Sequence, residues 1–250
     1  HVTPAEARAA TGIESPSDGV LHGRGGCILP DRLATALRLV HVDAIHLVPG
    51  RVARLVRHAD GWTAESTTGE PLSTEPTAIL AAGTACTRLW PNSRRWLLPA
   101  RGQATAFRAT AAISGPRLPI SGGGYITPAI DGIHWAGATL QRGDTDPLPR
   151  AEDDRTNLEF ARTCLGLDEV PDPLDRFVGF RATTPNRIPL VGRLAEHLWI
   201  TAGHGAHGLL TTPLAAHLLA DALEGRHHPL LRLLDPETRR DGHPTDANLK

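Results

Sequence analysis

The residues best able to act on a ligand lie in Trp199–Gly225, WITAGHGAHGLLTTPLAAHLLADALEG. Trp199 and Ile200 form a short apolar strand that breaks into the glycine turn Gly203-His204-Gly205-Ala206-His207-Gly208, and a helix follows. Glycines let a ligand approach the backbone closely, and the unpaired N–H groups and dipole of a helix start favour an electron-rich group. Thr211 or Thr212 is expected to cap this helix, with Pro213 in its first turn. Leu214, Leu218, Leu219 and Ala222 are expected on one apolar face, and Gly225 is the stop. His204 and His207 stand three apart, but a metal site needs a third ligand and a rigid frame, and neither is evident. Gly203, Gly205 and Gly208 have GxGxxG spacing, but they do not follow a first strand and lie near the C-terminus, where a first dinucleotide-binding unit is not expected. Taken alone, the turn is compatible with a purely structural role.

The composition sets bounds. At 250 residues the chain forms one large domain or two interleaved ones. Hydrophobic residues make up 40% and charged residues 21%, which is ordinary for a globular protein. A net charge of −1 gives no global field pointing to nucleic acid or to a membrane surface. Cys27, Cys86 and Cys164 are odd in number and far apart, which fits neither a disulfide framework nor a zinc site. A reducing, cytoplasmic compartment is therefore expected. No apolar run approaches membrane-spanning length. The chain starts at His1 and contains no methionine, so a fragment lacking its N-terminal part is expected.

Several elements must position the turn. HVTPAEARAATG (1–12) reads as a helix capped by Thr3, opened by Pro4 and stopped by Gly12. Residues 19–26 form a glycine-rich loop, 30–39 a helix and 42–48 a short strand. Residues 52–57 and 62–66 form a hairpin across Ala59-Asp60-Gly61. The apolar run at 77–82 is expected to be a buried parallel strand. Further on, 122–128 and 133–140 form a second hairpin, 153–165 a helix with Leu158, Ala161 and Leu165 aligned, and 177–182 a strand. Disorder is expected from 236 to 250. This order suggests an α/β nucleotide-binding domain (1–98 and 183–235) interrupted by a substrate domain (99–182).

At GGGYITPAIDGIHWAGAT (122–139), VGFRATTPNRIPLVG (178–192) and AGHGAHGLLTTPLAAHLLADALEG (202–225) the chain resembles FAD-dependent amine oxidoreductases of the D-amino-acid oxidase and glycine oxidase superfamily. GRGGCILPDRLATAL (23–37), ILAAGTACTRL (79–89), RGQAT (101–105) and LLRLLDPETRR (230–240) support the likeness in the same order. The branch it is most similar to is the flavin, C-terminal half of the bifunctional tRNA 5-methylaminomethyl-2-thiouridine biosynthesis family. The resemblance implies an α/β fold, α+β overall: a Rossmann-like FAD-binding domain with an inserted antiparallel β-rich substrate domain. The first βαβ unit, whose GxGxxG holds the FAD pyrophosphate, has no counterpart here.

The resemblance also assigns roles. The turn at Gly203, His204, Gly205, Ala206, His207, Gly208 and Leu209 is implied to lie against the flavin ring, its amides facing the pyrimidine carbonyl. Val52 is implied to bracket the adenine, and Ala82 and Gly83 to end the strand beside the cofactor. Arg181 is implied to clamp a substrate carboxylate, which its planar two-donor fork suits. Tyr125, the single tyrosine of the chain, is implied to line the same pocket. His207 and Asn186 depart from the family pattern, the latter standing where close relatives carry aspartate.

In this family amine oxidation is hydride transfer from the carbon beside nitrogen, and the resulting imine hydrolyses. The protein supplies orientation and electrostatics. In the tRNA branch the product would be an aminomethyl uridine for a partner methyltransferase domain, with tRNA as the macromolecular partner. A free amino-acid oxidase or dehydrogenase acting on glycine, sarcosine or a D-amino acid is the alternative, and a non-catalytic binding module a second. The arginines at 88, 94, 95 and 101 are candidates for a basic surface that would favour tRNA.

Overall fold

The structure, a computed structural model, describes residues 1–13, 18–110, 113, 115–236 and 238. The tail expected to be disordered, 236–250, falls almost wholly outside the described residues. In chain order the elements are α1 (Pro4–Thr11), α2 (Pro30–Val40), β1 (Arg54–His58), β2 (Gly61–Glu65), β3 (Pro71–Glu75), β4 (Ala78–Leu80), α3 (Cys86–Leu89), β5 (Leu98–Arg108) and β6 (Ile120–Ser121). They continue with β7 (Tyr125–Ile126), β8 (Ile133–Gly137), β9 (Gln141–Arg142), α4 (Ala151–Leu165), β10 (Asp175–Thr183), β11 (Leu190–Ala195), β12 (Leu198–Ala202), α5 (Gly208–Leu223) and α6 (Pro229–Leu234). The chain divides into two compact units, one of residues 1–37 and 101–180 and the other of residues 38–100 and 181–250.

In the first unit α1 has the start and stop read from its sequence. The Thr3 side chain accepts from the Glu6 amide, Glu6 reaches back to the Thr3 amide at 2.8 Å, and Gly12 closes the helix at φ 82°. The sheet runs in the order β10-β5-β8-β7-β6, with β9 also paired to β5. α4 covers it, and alternation along β5 decides how. Phe107 packs with Ile126, Ala136, Leu158 and Ala161 in an apolar cluster. Towards the start of the same strand, Arg101, Gln103 and Thr105 are buried with Asp153, Asp154 and Asn157 of α4. All of these polar groups are satisfied. Asp154 accepts from Gln103 and Thr105 at 2.8 Å each and from Arg176 at 2.5 Å. Arg101, read from the sequence as a candidate for a basic surface, is instead fully buried and ion-paired to Asp153.

In the second unit β1, β2 and β3 form an antiparallel meander. Its first hairpin turns where the sequence indicated, with His58 opposite Gly61. The other sheet has the order β11-β12-β4: β11 runs antiparallel to β12, and β4 parallel to it, with Ala78 opposite Leu198 and Leu80 opposite Ile200. Leu80, Leu97, Leu190, Leu198 and Ile200 form the core with Trp62 and Trp96.

Three expectations need correction here. Residues 42–48 form no strand; they have no ladder partner among the described residues, and their side chains are exposed. β4 is parallel, but only Leu80 is buried, while Ile79 is 46% exposed at the described edge of the sheet. α5 begins at Gly208, so Pro213 lies inside it. The Thr211 and Thr212 hydroxyls bond back to the carbonyls of His207 and Gly208 and do not cap. The buried face of α5 is Ala215, Leu218 and Leu219, and Leu214 is exposed.

Candidate active site

In the second unit β4 and β12 are parallel and in register, so their C-terminal ends point the same way, the arrangement in which open α/β sheets bind ligands. Ala82 and Gly83 follow β4. Both are exposed, Gly83 has φ 56°, and a Cβ added to it would meet nothing within 4 Å. The two residues are therefore not core positions, and their backbone is open to an incoming group. Val52 is half-buried, and its carbonyl accepts from Arg88 at 3.0 Å.

The glycine turn follows β12. Gly203 is buried at φ 75°, and a Cβ there would sit 2.7 Å from Cγ2 of Thr184 and 3.1 Å from Cδ2 of Leu97. Gly205 has φ 56° and opens a short 3-10 turn, Gly205–His207, that leads into the 16-residue α5. No side chain caps α5 at its N-cap, His207. Ala206, His207 and Leu209 are exposed, and Gly208 is half-buried. Open backbone with two left-handed glycines and an uncapped helix start fits a group whose reduced form carries negative charge. In that arrangement the turn's backbone from Gly203 to Leu209 would hold the ring end of a flavin.

His204 holds the turn with its side chain. Its Nε2 lies 2.9 Å from the Thr201 hydroxyl and its Nδ1 2.8 Å from that of Thr211, while the Thr211 hydroxyl donates to the His207 carbonyl at 3.0 Å. Thr211 has one proton, spent on that carbonyl, so Nδ1–H must donate to it. Burial pushes the imidazole below its ordinary pKa, so the neutral ring accepts at Nε2 from Thr201. His204 thus ties β12 to the first turn of α5.

Arg181 lies on β10, two residues before Thr183, and Thr183 forms a β-bridge to His204. The Thr183 hydroxyl donates to the Leu98 carbonyl at 3.0 Å and that of Thr184 to the Ile188 carbonyl at 2.9 Å. The strand end carrying Arg181 is therefore fixed to the glycine turn. Arg181 itself is half-buried. The other arginines that are not exposed all have partners: Arg101 with Asp153, Arg150 with Asp144 and Asp146, and Arg162 with Glu159. Arg181 has no hydrogen-bond or ion-pair partner among the described residues.

Asn186 accepts from the Ile188 amide at 3.1 Å and shapes the loop between β10 and β11. Tyr125 belongs to the first unit, half-buried on β7 opposite Ser121 of β6 and Gly137 of β8. His204 and His207 join no cluster of metal-ligating side chains among the described residues. Sequence reasoning missed Leu97, Thr183, Thr184 and Thr201, and read Thr211 as a helix cap where it instead bonds His204 and the His207 carbonyl. The signal available for them was the run of threonines flanking Arg181 and the turn.

Gly203→Ala is expected to destabilise the chain by about 2–4 kcal/mol, summing the cost of a side chain at positive φ and of overpacking against Thr184 and Leu97. Gly83→Ala, with open space in front of it, is expected to cost about 1 kcal/mol. Thermal melts of the two variants check the contrast.

A family model described as FAD dependent oxidoreductase matches residues 1–222. The chain is 34% identical over 250 residues to the tRNA 5-methylaminomethyl-2-thiouridine biosynthesis bifunctional protein MnmC of Aromatoleum aromaticum, covering 92% of this chain and 39% of that protein. It is likewise 34% identical to the MnmC of an Azoarcus species, covering 94% of this chain and 41% of that protein. The chain thus spans about two fifths of the length of the curated relatives it matches. Among solved structures, L-proline dehydrogenase from P. horikoshii superposes with a TM-score of 0.77 at 18% identity, over 98% of this chain and 69% of that one. Iminodiacetate oxidase from Chelativorans sp. BNC1 gives 0.70 at 23% identity, over 82% and 58%. These likenesses bear out the fold. No helix of the described residues is long and apolar enough to cross a membrane.

Proposed function

We propose, from the premise that the chain belongs to the FAD-dependent oxidoreductase family, that it forms the substrate-binding and ring-binding part of an amine oxidoreductase acting on a carboxymethylaminomethyl group of tRNA wobble uridine. The observation that carries this reading is Arg181: a half-buried guanidinium without a partner among the described residues, anchored through Thr183 to the glycine turn. A carboxymethylamino group ends in a glycine-like carboxylate, which a guanidinium fork pairs with through two parallel hydrogen bonds. The similarity to proteins named for tRNA 5-methylaminomethyl-2-thiouridine biosynthesis supports the choice of tRNA.

FAD, when bound, supplies a hydride acceptor. The residues of the chain do the rest. Arg181 holds the carboxylate and so fixes the amine-bearing carbon. The turn from Gly203 to Leu209 would hold the ring end of FAD through its amides and helix dipole, Ala82 and Gly83 would line the approach, and Val52 would support the adenine. A base is not required once the amine is neutral. A fused or separate methyltransferase would consume the aminomethyl product, and a cytoplasmic setting follows from a tRNA substrate. Oxidation of a free amino acid such as glycine is the second reading, favoured by the same Arg181.

Flavin absorbance tests both. A form extended to the length of its relatives should be yellow, and anaerobic addition of carboxymethylaminomethyl-uridine tRNA should bleach it. Bleaching by glycine alone would select the second reading. A colourless extended form with FAD added would overturn both, leaving the non-catalytic binding module.

A further inference from the structure

Between Pro76 and Ile130 the sequence contains six arginines and no aspartate or glutamate. Three of them, Arg88, Arg94 and Arg95, lie in the second unit on α3 and the 3-10 turn Pro91–Arg95, and all three are exposed. None has a carboxylate partner among the described residues. Some other exposed arginines of that unit do: Arg54 pairs with Glu65, Arg57 with Glu196 and Arg226 with Asp221.

The three guanidinium groups are nonetheless held in place. Arg88 donates to the carbonyls of Val52 and Ala53 at 3.0 Å each, and Arg94 to that of Thr87 at 3.3 Å. Arg95 donates to the Asn92 carbonyl at 3.3 Å and lies 4.4 Å above the Trp96 ring. Carbonyl and aromatic contacts fix a cation without neutralising it. The patch is also continuous with the candidate site. Leu97, two residues beyond Arg95, packs under Gly203, and the Leu98 carbonyl accepts from Thr183 on the strand that carries Arg181.

An oriented, unneutralised cationic patch next to an anion clamp fits a polyanion whose terminal group enters the site. We propose that Arg88, Arg94 and Arg95 dock the phosphate backbone of the RNA whose modified base reaches Arg181; this rests on the tRNA reading above. Phosphate contacts of this kind position a nucleic acid without reading its sequence. A free amino acid would have no use for them.

The test is fluorescence anisotropy with an unmodified tRNA transcript, titrated across potassium chloride concentrations. Arg94→Ala/Arg95→Ala is compared with Arg54→Ala/Arg57→Ala, which removes the same charge from carboxylate-paired arginines. The first pair should weaken binding about ten-fold at moderate salt and flatten the log–log salt slope by roughly 1.5, whereas the control should change affinity less than two-fold. Arg94→Gln/Arg95→Gln, with an unchanged melting curve, should behave like the alanine pair. Equal losses in the two alanine pairs, no loss in either, or no RNA binding by the unaltered chain would overturn the proposal. Flavin bleaching separates this from the substrate reading. If modified tRNA still bleaches the extended form while binding ignores the arginines, only the platform fails. If the arginines matter but only free glycine bleaches the flavin, only the tRNA substrate assignment fails.

Discussion

Arg181→Ala, in a flavin-loaded form, is expected to lower kcat/KM for a carboxylate-bearing amine by about 10²–10³-fold, the 2–5 kcal/mol range for removing one partner of a desolvated charge pair. Most of the loss should appear in KM, since the clamp holds the carboxylate in ground and transition states alike. Amines of similar size without a carboxylate should be affected far less. Arg181→Lys should recover little, because an ammonium offers a point charge where a flat two-donor fork is needed. The neighbouring contacts leave stability almost untouched: Arg181 has no internal partner among the described residues, so its removal orphans nothing. Steady-state kinetics on the two substrate classes, with thermal melts alongside, check the argument. An equal loss on both classes would assign Arg181 a structural role.

Arg101→Met should show the opposite pattern. The guanidinium is fully buried, and each of its five N–H bonds has an acceptor. Nε donates to the Asp146 carbonyl at 2.8 Å. One terminal nitrogen serves Gln141 at 3.0 Å and the Asp153 carboxylate, and the other Gln103 at 3.2 Å and the Leu148 carbonyl at 2.6 Å. Methionine matches the bulk but removes every donor and leaves the buried Asp153 facing no cation. Breaking a buried pair costs about 3–5 kcal/mol before the stranded acceptors are counted, so a loss of at least about 5 kcal/mol is expected. For a chain of this size that is a fall in Tm of roughly 10–20 °C. Arg101→Lys, with at most three donors, should recover only part of it. Denaturant and thermal unfolding measure both variants.

Local signals explain what could be read in the sequence. The capped helix at Thr3–Gly12, the hairpin across Asp60-Gly61 and the glycine turn after Trp199 each announce themselves within a few residues, because capping and turn chemistry is local. The motifs around Arg181 and the turn likewise led to the right family. Arg101 was illegible for the opposite reason: in sequence it is one basic residue among several, and all its partners but Gln103 lie 40 to 52 positions away. The start of α5 was misplaced because Thr211-Thr212-Pro213 has the composition of a helix start. The hydroxyls instead bond back to preceding carbonyls, and Pro213 takes an interior position. Residues 42–48 have strand composition but lack a partner strand among the described residues, and pairing is a property no single segment reveals. The bridge from Thr183 to His204, which joins the clamp to the turn, is such a pairing too.

The parallel pairing of β4 with β12 also governs how the site comes into being. Ala78 sits opposite Leu198, so the two turns at that sheet edge share a scaffold only after a segment of 120 positions has been closed into a loop. Loop closure is slow for such distant partners, and during synthesis β12 leaves the ribosome long after β4 and the meander before it. The ligand-facing edge is thus among the last parts of the chain to become native. Until then β4 waits with an unpaired strand edge, which makes the interval before closure the one in which a chaperone or a premature neighbour would find it.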